Sequence, residues 1–442
     1  NDINVSAVKD LYSEESEVGH RGGSYYNHNR KVDETVIGSN ITGKGDIGLN
    51  GENNINIKGS NITSEEGKIS LNAGNEVNIT AENEYHERLH EKHEESSGIF
   101  SSTTKDVYDY SNLDAVVGSN ISGGSVDVTS GADTNITASN VVADNDVNIK
   151  TGGELNIGTQ EQTSESEYIK KVKKSGIFAG GGFGITIGSE KQRDEYANKN
   201  VENVGSTVGS IEGSVNLEAK DDANVTGSEV IAGKDINITG KNVNIESSEN
   251  VYNAHKEHEY KRTGITVSVG GQAIDIAEEA IGHIERAGQV EDERLAALHA
   301  YKAYDTVTEV TQKKDNWSTL ENAVKDPAKN LSLNVSFGTE KSESSSDSTT
   351  IVNRGSNIKA EGDVTITSTE EDINIKGSNV EGENVTLNAA EDLNVTASKD
   401  SNVTKQDNES SSASIGVGLD IITGSVESIN IGGSKAEGTV DA

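Results

Sequence analysis

The chain has 442 residues, 31% hydrophobic and 4% aromatic content, 47 glycines and a formal net charge of −36. That length would suit two or three globular domains, but so few large apolar residues cannot fill thick cores; they can fill a thin one stacked lengthwise. The acidic balance argues against nucleic-acid binding and against attraction to anionic membranes, and the absence of cysteine excludes a disulfide framework and thiolate zinc.

No apolar run approaches the length of a membrane-spanning helix, and the N-terminus lacks the charged-then-apolar pattern of a signal peptide. Residues 1–37 read as the end of a coil, Asp2 to Val8, followed by a polar, charged excursion, so the chain is expected to be a segment of something longer. Residues 38–81 then repeat one pattern twice. Gly-Ser-Asn-Ile opens each copy, and doublets of the form apolar-x-apolar follow: Ile47/Leu49, Ile55/Ile57, Ile69/Leu71 and Val77/Ile79. A doublet spaced by two puts both side chains on one face of a strand, and Gly, Asn, Asp and Ser between doublets supply corners. Three short strands per copy, repeating about every 21 residues, describe one coil of a parallel β-solenoid. The same coil pair recurs at 118–157, 205–245 and 355–397, giving eight stacked coils.

Between pairs lie excursions at 82–117, 158–204, 246–354 and 398–442. Each carries a polar or charged segment and an alternating strand of small and apolar residues: Ile99 and Phe100; Ile177, Phe178, Ile185 and Ile187; Ile265 and Val267; Ile415 and Val417. Alternation around glycine reads as antiparallel hairpins leaving the rod, and these ten residues are the candidate functional positions. Their strands leave pairable edges suited to joining into something larger. Within the third excursion, about 272–330, composition shifts to Ala, Glu, Leu and Lys; Ile274, Ala277, Ile281 and Ile284 fall at helical spacing, so a small helical insertion is expected at a hairpin tip.

Several patterns suggest chemistry and have plainer readings. His86-Glu87-Arg88-Leu89-His90, with His93 beyond, matches the spacing that places two imidazoles on one helix face around zinc, yet it sits where the other excursions carry strand arms. These histidines, and His255 with His258, are read as solvated arm residues, with no metal expected. The Asn-[Ile/Val]-Thr triplets match the glycosylation sequon, but their fixed place in each coil fits amide side chains hydrogen-bonding at corners. Asp46, Asp235, Asp363, Asp372 and Asp392 lack the nonapeptide of calcium-binding coils, and the glycines at 180–184 lack a following phosphate-binding Lys-Ser/Thr. No catalytic residue and no cofactor is expected.

The paired Gly-Ser-Asn-[Ile/Val] coils, the Asp-[Ile/Val]-Asn-[Ile/Val] doublets and the recurrent Ser-Gly-Ile-Phe or Gly-Ile-Thr-Val hairpins resemble the haemagglutinin repeats of filamentous-haemagglutinin-type exoproteins, over nearly the whole chain. The resemblance implies an all-β, right-handed parallel β-helix in a protein exported by a two-partner system to the surface of a Gram-negative bacterium. Its most similar branch is contact-dependent growth inhibition, where a repeat region is implicated in carrying a C-terminal toxin across a target cell's outer membrane. The implied partners are an outer-membrane secretion protein and a target-cell outer membrane or surface receptor. A passive adhesin shaft is the alternative function, and a β-helix carbohydrate-active enzyme a more remote one, because outward coil positions carry Asn, Thr and Ser in place of paired acids.

Overall fold

The computed structural model describes residues 1–179, 184–270, 332–420 and 426–441, and every regular element among them is a β-strand. The expected helical insertion at about 272–330 lies outside the described residues.

One coil shows how the sequence builds the rod. Asn61–Ser64, Lys68–Ala73 and Val77–Thr80 form three short strands, and their five aliphatics, Ile62, Ile69, Leu71, Val77 and Ile79, are wholly enclosed at 0% exposure. Each strand pairs in parallel with its counterpart in the coils before and after, giving three faces of nine, eight and eight strands. The first strand of the nine, Ile3–Ser6, pairs with Ile55–Lys58 and ends the coil preceding the eight complete ones. The interior is a single continuous apolar cluster from Val5 to Ile375. No coil buries enough area to offset the entropy of ordering itself, so stability resides in the stacking.

Polar ladders run the length of the rod. On the nine-stranded face, Asn4, Asn56, Asn78, Asn135, Asn156, Asn224, Asn244, Asn374 and Asn394 stack, each later Nδ2 donating to the preceding Oδ1 at 2.8–3.0 Å. These asparagines lie within strands on the outward face, so for them the corner position read from the sequence is corrected, because the doublet residues flanking each Asn both point inward; Asn384 does sit at a corner, donating to Asp363 at 2.7 Å. Where a ladder asparagine heads a sequon, as at Asn78, Asn135, Asn224 and Asn394, its side-chain nitrogen is thereby committed to its neighbour.

A second ladder explains the Gly-Ser-Asn motif. The amide of Ser60 donates to Ser119 Oγ at 3.2 Å, Ser119 to Ser139 at 3.1 Å, Ser139 to Ser206 at 3.2 Å, Ser206 to Ser228 at 3.0 Å and Ser228 to Ser356 at 3.2 Å. Each of those hydroxyls is buried and donates in turn to a backbone carbonyl, so corner groups that would be orphaned inside the rod are satisfied. Just before the serine, Gly59, Gly227 and Gly377 adopt φ of +56°, +54° and +59°, a left-handed turn that L side chains rarely adopt.

At that same corner, in every second coil, the chain departs in a hairpin. The arms are Val8–Gly19 with Tyr25–Ile37, Glu82–Ser97 with Ser101–Val117, Gln160–Ala179 with Gly184–Val204, Ser248–Gly270 with Ser332–Arg354, and Ser401–Asp420 with Val426–Asp441. Two coils rise about 9.6 Å and one hairpin is two strands, also about 9.6 Å, wide. Successive hairpins therefore meet edge to edge, and all ten arms form one continuous antiparallel sheet alongside the rod.

Candidate functional site

The hairpin sheet brings together residues that are far apart in sequence. Ile177 pairs with Ile187, Ile187 with Ile265, Ile265 with Phe337, Phe337 with Ile415 and Ile415 with Ile431, a row across six strands. These side chains are 42–80% exposed. Two positions toward the tips, on the same face, Ile185, Val267, Val335, Val417 and Ile429 form a second row. The opposite face at this height carries Phe178, Thr186, Thr266, Ser336, Gly416 and Asn430, with Thr186 and Thr266 hydroxyls 2.8 Å apart. The distal sheet is thus apolar on one side and mostly small and polar on the other.

Seven of the ten candidate positions share the aliphatic face: Ile177, Ile187, Ile265 and Ile415 in the first row, and Ile185, Val267 and Val417 in the second. Phe178 points to the opposite face, one residue out of phase with Ile177. Ile99 and Phe100, 88% and 71% exposed, occupy the tip of the shorter second hairpin, where the Phe100 carbonyl accepts the Ile177 amide at 3.0 Å. Sequence reasoning left Val335, Phe337, Ile429 and Ile431 off the list; the alternation in 332–338 and 428–432 was the available signal.

Below these rows the arms are charged. His86 and His90 lie on an extended strand, about 14 Å apart along it, and Glu87 faces the other side. His86 Nδ1 is 3.0 Å from Asp33, His90 Nδ1 2.6 Å from Asn29, and Glu87 accepts from Arg30 and, at 2.9 Å, from Tyr85. The zinc-type spacing, which converges ligands on a helix, separates His86 from His90 on this strand. Glu195, His255 and Glu257 do bring ligand atoms within 4.8 Å of one another. Each already has a protein partner: Arg193 donates to both carboxylates and Asp347 lies 2.6 Å from His255 Nδ1.

His28 is buried between two hairpins, with Glu91 at 3.0 Å and Glu15 at 2.8 Å, and those hydrogen bonds hold its pKa above the ordinary value of 6.5. Asp33 and Glu84 do the same for His86. These imidazoles tie neighbouring strands together.

A thin solenoid carrying, every two coils, a hairpin of small and apolar residues defines a repeat-built filament protein. The chain belongs to the hemagglutinin-repeat family, which matches residues 19–177, 100–261, 185–282 and 335–442. It is 33% identical over 333 residues to the 16S rRNA endonuclease CdiA of Enterobacter cloacae, covering 75% of this chain and 10% of that protein. It is 30% identical over 340 residues to a tRNA nuclease CdiA of Escherichia coli, covering 74% and 10%. With the tRNA nuclease CdiA-2 of Burkholderia pseudomallei it shares 28% identity over 392 residues, covering 86% and 12%. The chain thus spans about a tenth of the length of these three relatives. No solved structure matches the chain.

Proposed function

We propose that this chain is a non-catalytic segment of a secreted surface exoprotein of the contact-dependent growth-inhibition type, and that its hairpin sheet engages the outer membrane of a target cell so that a toxin carried elsewhere in the same protein can cross. The observation that carries this reading is a charge-free band. Ser175–Ala179, Gly184–Ser189, Thr263–Gly270, Ser332–Thr339, Ala413–Leu419 and Ser428–Ser434 contain no ionisable side chain, in a protein where 25% of residues are charged. The longest of these stretches are eight residues, roughly 27 Å along the strand at about 3.4 Å per residue and about 20 Å along the membrane normal at the tilt of outer-membrane barrels, against their apolar band of about 25 Å. Apolar and polar residues segregate to opposite faces of six adjacent strands, the arrangement a lipid-facing and lumen-facing wall requires, and such a wall satisfies its backbone in lipid once its arms close edge to edge into a barrel.

On this reading the secretion partner lies in the producing cell's outer membrane, the rod holds the hairpins in register, and no nucleic acid is bound by this segment. The absence of catalytic groups is part of the proposal: amide ladders occupy outward rod positions, and His28, His86, His90, His93, His255 and His258 on the hairpin arms each lie within hydrogen-bond distance of a neighbouring side chain.

The test replaces Gly176–Gly188 by a two-residue turn joining Ser175 to Ser189, which are already paired, in the full-length protein. Export and cell attachment should persist while entry of the toxin into target cells is lost. Entry at the unaltered rate would leave the segment as a passive adhesin shaft.

A further inference from the structure

On the aliphatic face, four residues rodward of the Ile177 row, Lys173 pairs with Lys191, Lys191 with Lys261 and Lys261 with Lys341. Four neighbouring strands thus present four lysines in register, about 5 Å apart. Like charges directly opposite one another oppose strand pairing, and the reverse face at the adjacent position shows the ordinary solution: Lys174, Glu190, Arg262 and Glu340 alternate in sign, with Lys174 and Glu190 3.0 Å apart. The lysine row keeps an unfavourable arrangement within a chain whose net charge of −36 would by itself repel an anionic surface, so any such attraction has to be local to this row.

Counter-charges on that face gather beside the Lys341 end of the row: two positions rodward Glu259, Glu343, Glu409 and Glu437 stand opposite one another in turn, Glu343 takes Lys341 at 2.7 Å, and Glu259 also stands opposite Arg193. On the third hairpin the corresponding positions are Lys171 and Arg193, and Arg193 is committed to Glu195 and Glu257. Lys173, Lys191 and Lys261 are exposed and make no ion pair among the described residues. Between them and the isoleucines lies a row of Ser175, Ser189, Thr263 and Thr339, short enough for lysine stems to reach over toward the apolar band. A row of cations bordering an aliphatic surface matches the boundary of a bilayer, where phosphates sit immediately above acyl chains.

Resting on the membrane reading above, we infer that Lys173, Lys191, Lys261 and Lys341 form a comb that binds the phosphates of an anionic lipid surface and sets how deep the hairpin tips sit. Other polyanions fit less well, because only a lipid surface also occupies the adjoining isoleucine row. The same spacing recurs in sequence, with a lysine three residues before Gly176 and Gly264 and three after Gly188, Gly338 and Gly432, whereas the strand carrying Ala413–Leu419 has Ser411 in the row.

The test measures partition of the whole chain onto vesicles of phosphatidylcholine alone and of phosphatidylcholine with phosphatidylglycerol. Wild type should prefer the anionic vesicles in a salt-sensitive way. Each lysine at such a surface is worth about fivefold in partitioning, so K173Q/K191Q/K261Q should lose about a hundredfold on anionic vesicles. A control with the same charge change on the reverse face, K170Q/K174Q/K256Q, should lose much less. Equal loss in both triple variants, or none in the first, overturns the comb. Wild-type binding to both vesicle types alike overturns the comb while leaving the membrane reading standing, and no wild-type binding to either overturns both. Circular dichroism of each variant verifies that the β-structure is retained.

Discussion

The match between two coils and one hairpin makes a sharp prediction about deletions. Removing residues 138–158 excises one coil and splices Thr137 to Thr159 at equivalent positions, since Thr137 pairs with Gly158 in the rod. The rod can restack, but the second and third hairpins then leave coils about 4.8 Å apart while each still needs about 9.6 Å of width. One must swing out of the sheet. The ladder between them, from Ser101 opposite Gly176 to Asp114 opposite Thr163, is lost. With about 14 cross-strand bonds at roughly 0.5–1 kcal/mol net each, the loss is on the order of 10 kcal/mol. Deleting 118–204 instead removes two coils together with one hairpin and restores the match, so it should be tolerated. Hydrogen exchange along Ser101–Val117 and Gln160–Ala179 provides the assay, supported by trypsin cleavage at Lys170, Lys171, Lys173 and Lys174. Arms as protected in the single-coil deletion as in the intact chain would refute the geometric coupling.

Three further outcomes follow from the rod and the arms. Ile236→Asp or Ile373→Asp places a charge in a core with no partner and should cost about 4 kcal/mol or more, whereas Asn237→Ser, losing one 2.9 Å bond to Asn216, should cost about 1 kcal/mol; similar urea midpoints would mean the doublets do not face inward. Ser206→Ala removes both the acceptor for the Ser139 amide and the donor to the Gly158 carbonyl inside the rod, and should cost about 2–3 kcal/mol with faster exchange at the Ser139 amide. His28 and His86 have raised pKa values in the folded state, so their contribution is fully present below 6.5 and declines as pH rises through the raised values. Melting of the wild type at about pH 5.5 and about pH 8.5 should therefore show a difference that His28→Gln reduces, and an unchanged difference would remove the histidine from the account.

The coils were legible in the sequence because their information is local. A doublet such as Ile236/Ile238 needs only the period of two to declare which face it buries, and about 21 residues of repetition declare the stacking. Alternation around glycine likewise marked the hairpins and seven of the residues on their aliphatic face. Tertiary structure decided the rest, because it depends on which strands become neighbours. The His86–His90 spacing has opposite meanings on a helix and on a strand, and pairing with Tyr25–Ile37 selected the strand. Asparagines such as Asn78, Asn135 and Asn224, read as corner residues, proved to be rungs within strands, since both doublet neighbours point inward. The lysine row is invisible in any one arm: Lys173 and Lys341 are far apart along the chain and share a row only because hairpins leave one corner every second coil, so that strand width equals coil rise and the arms lock in register.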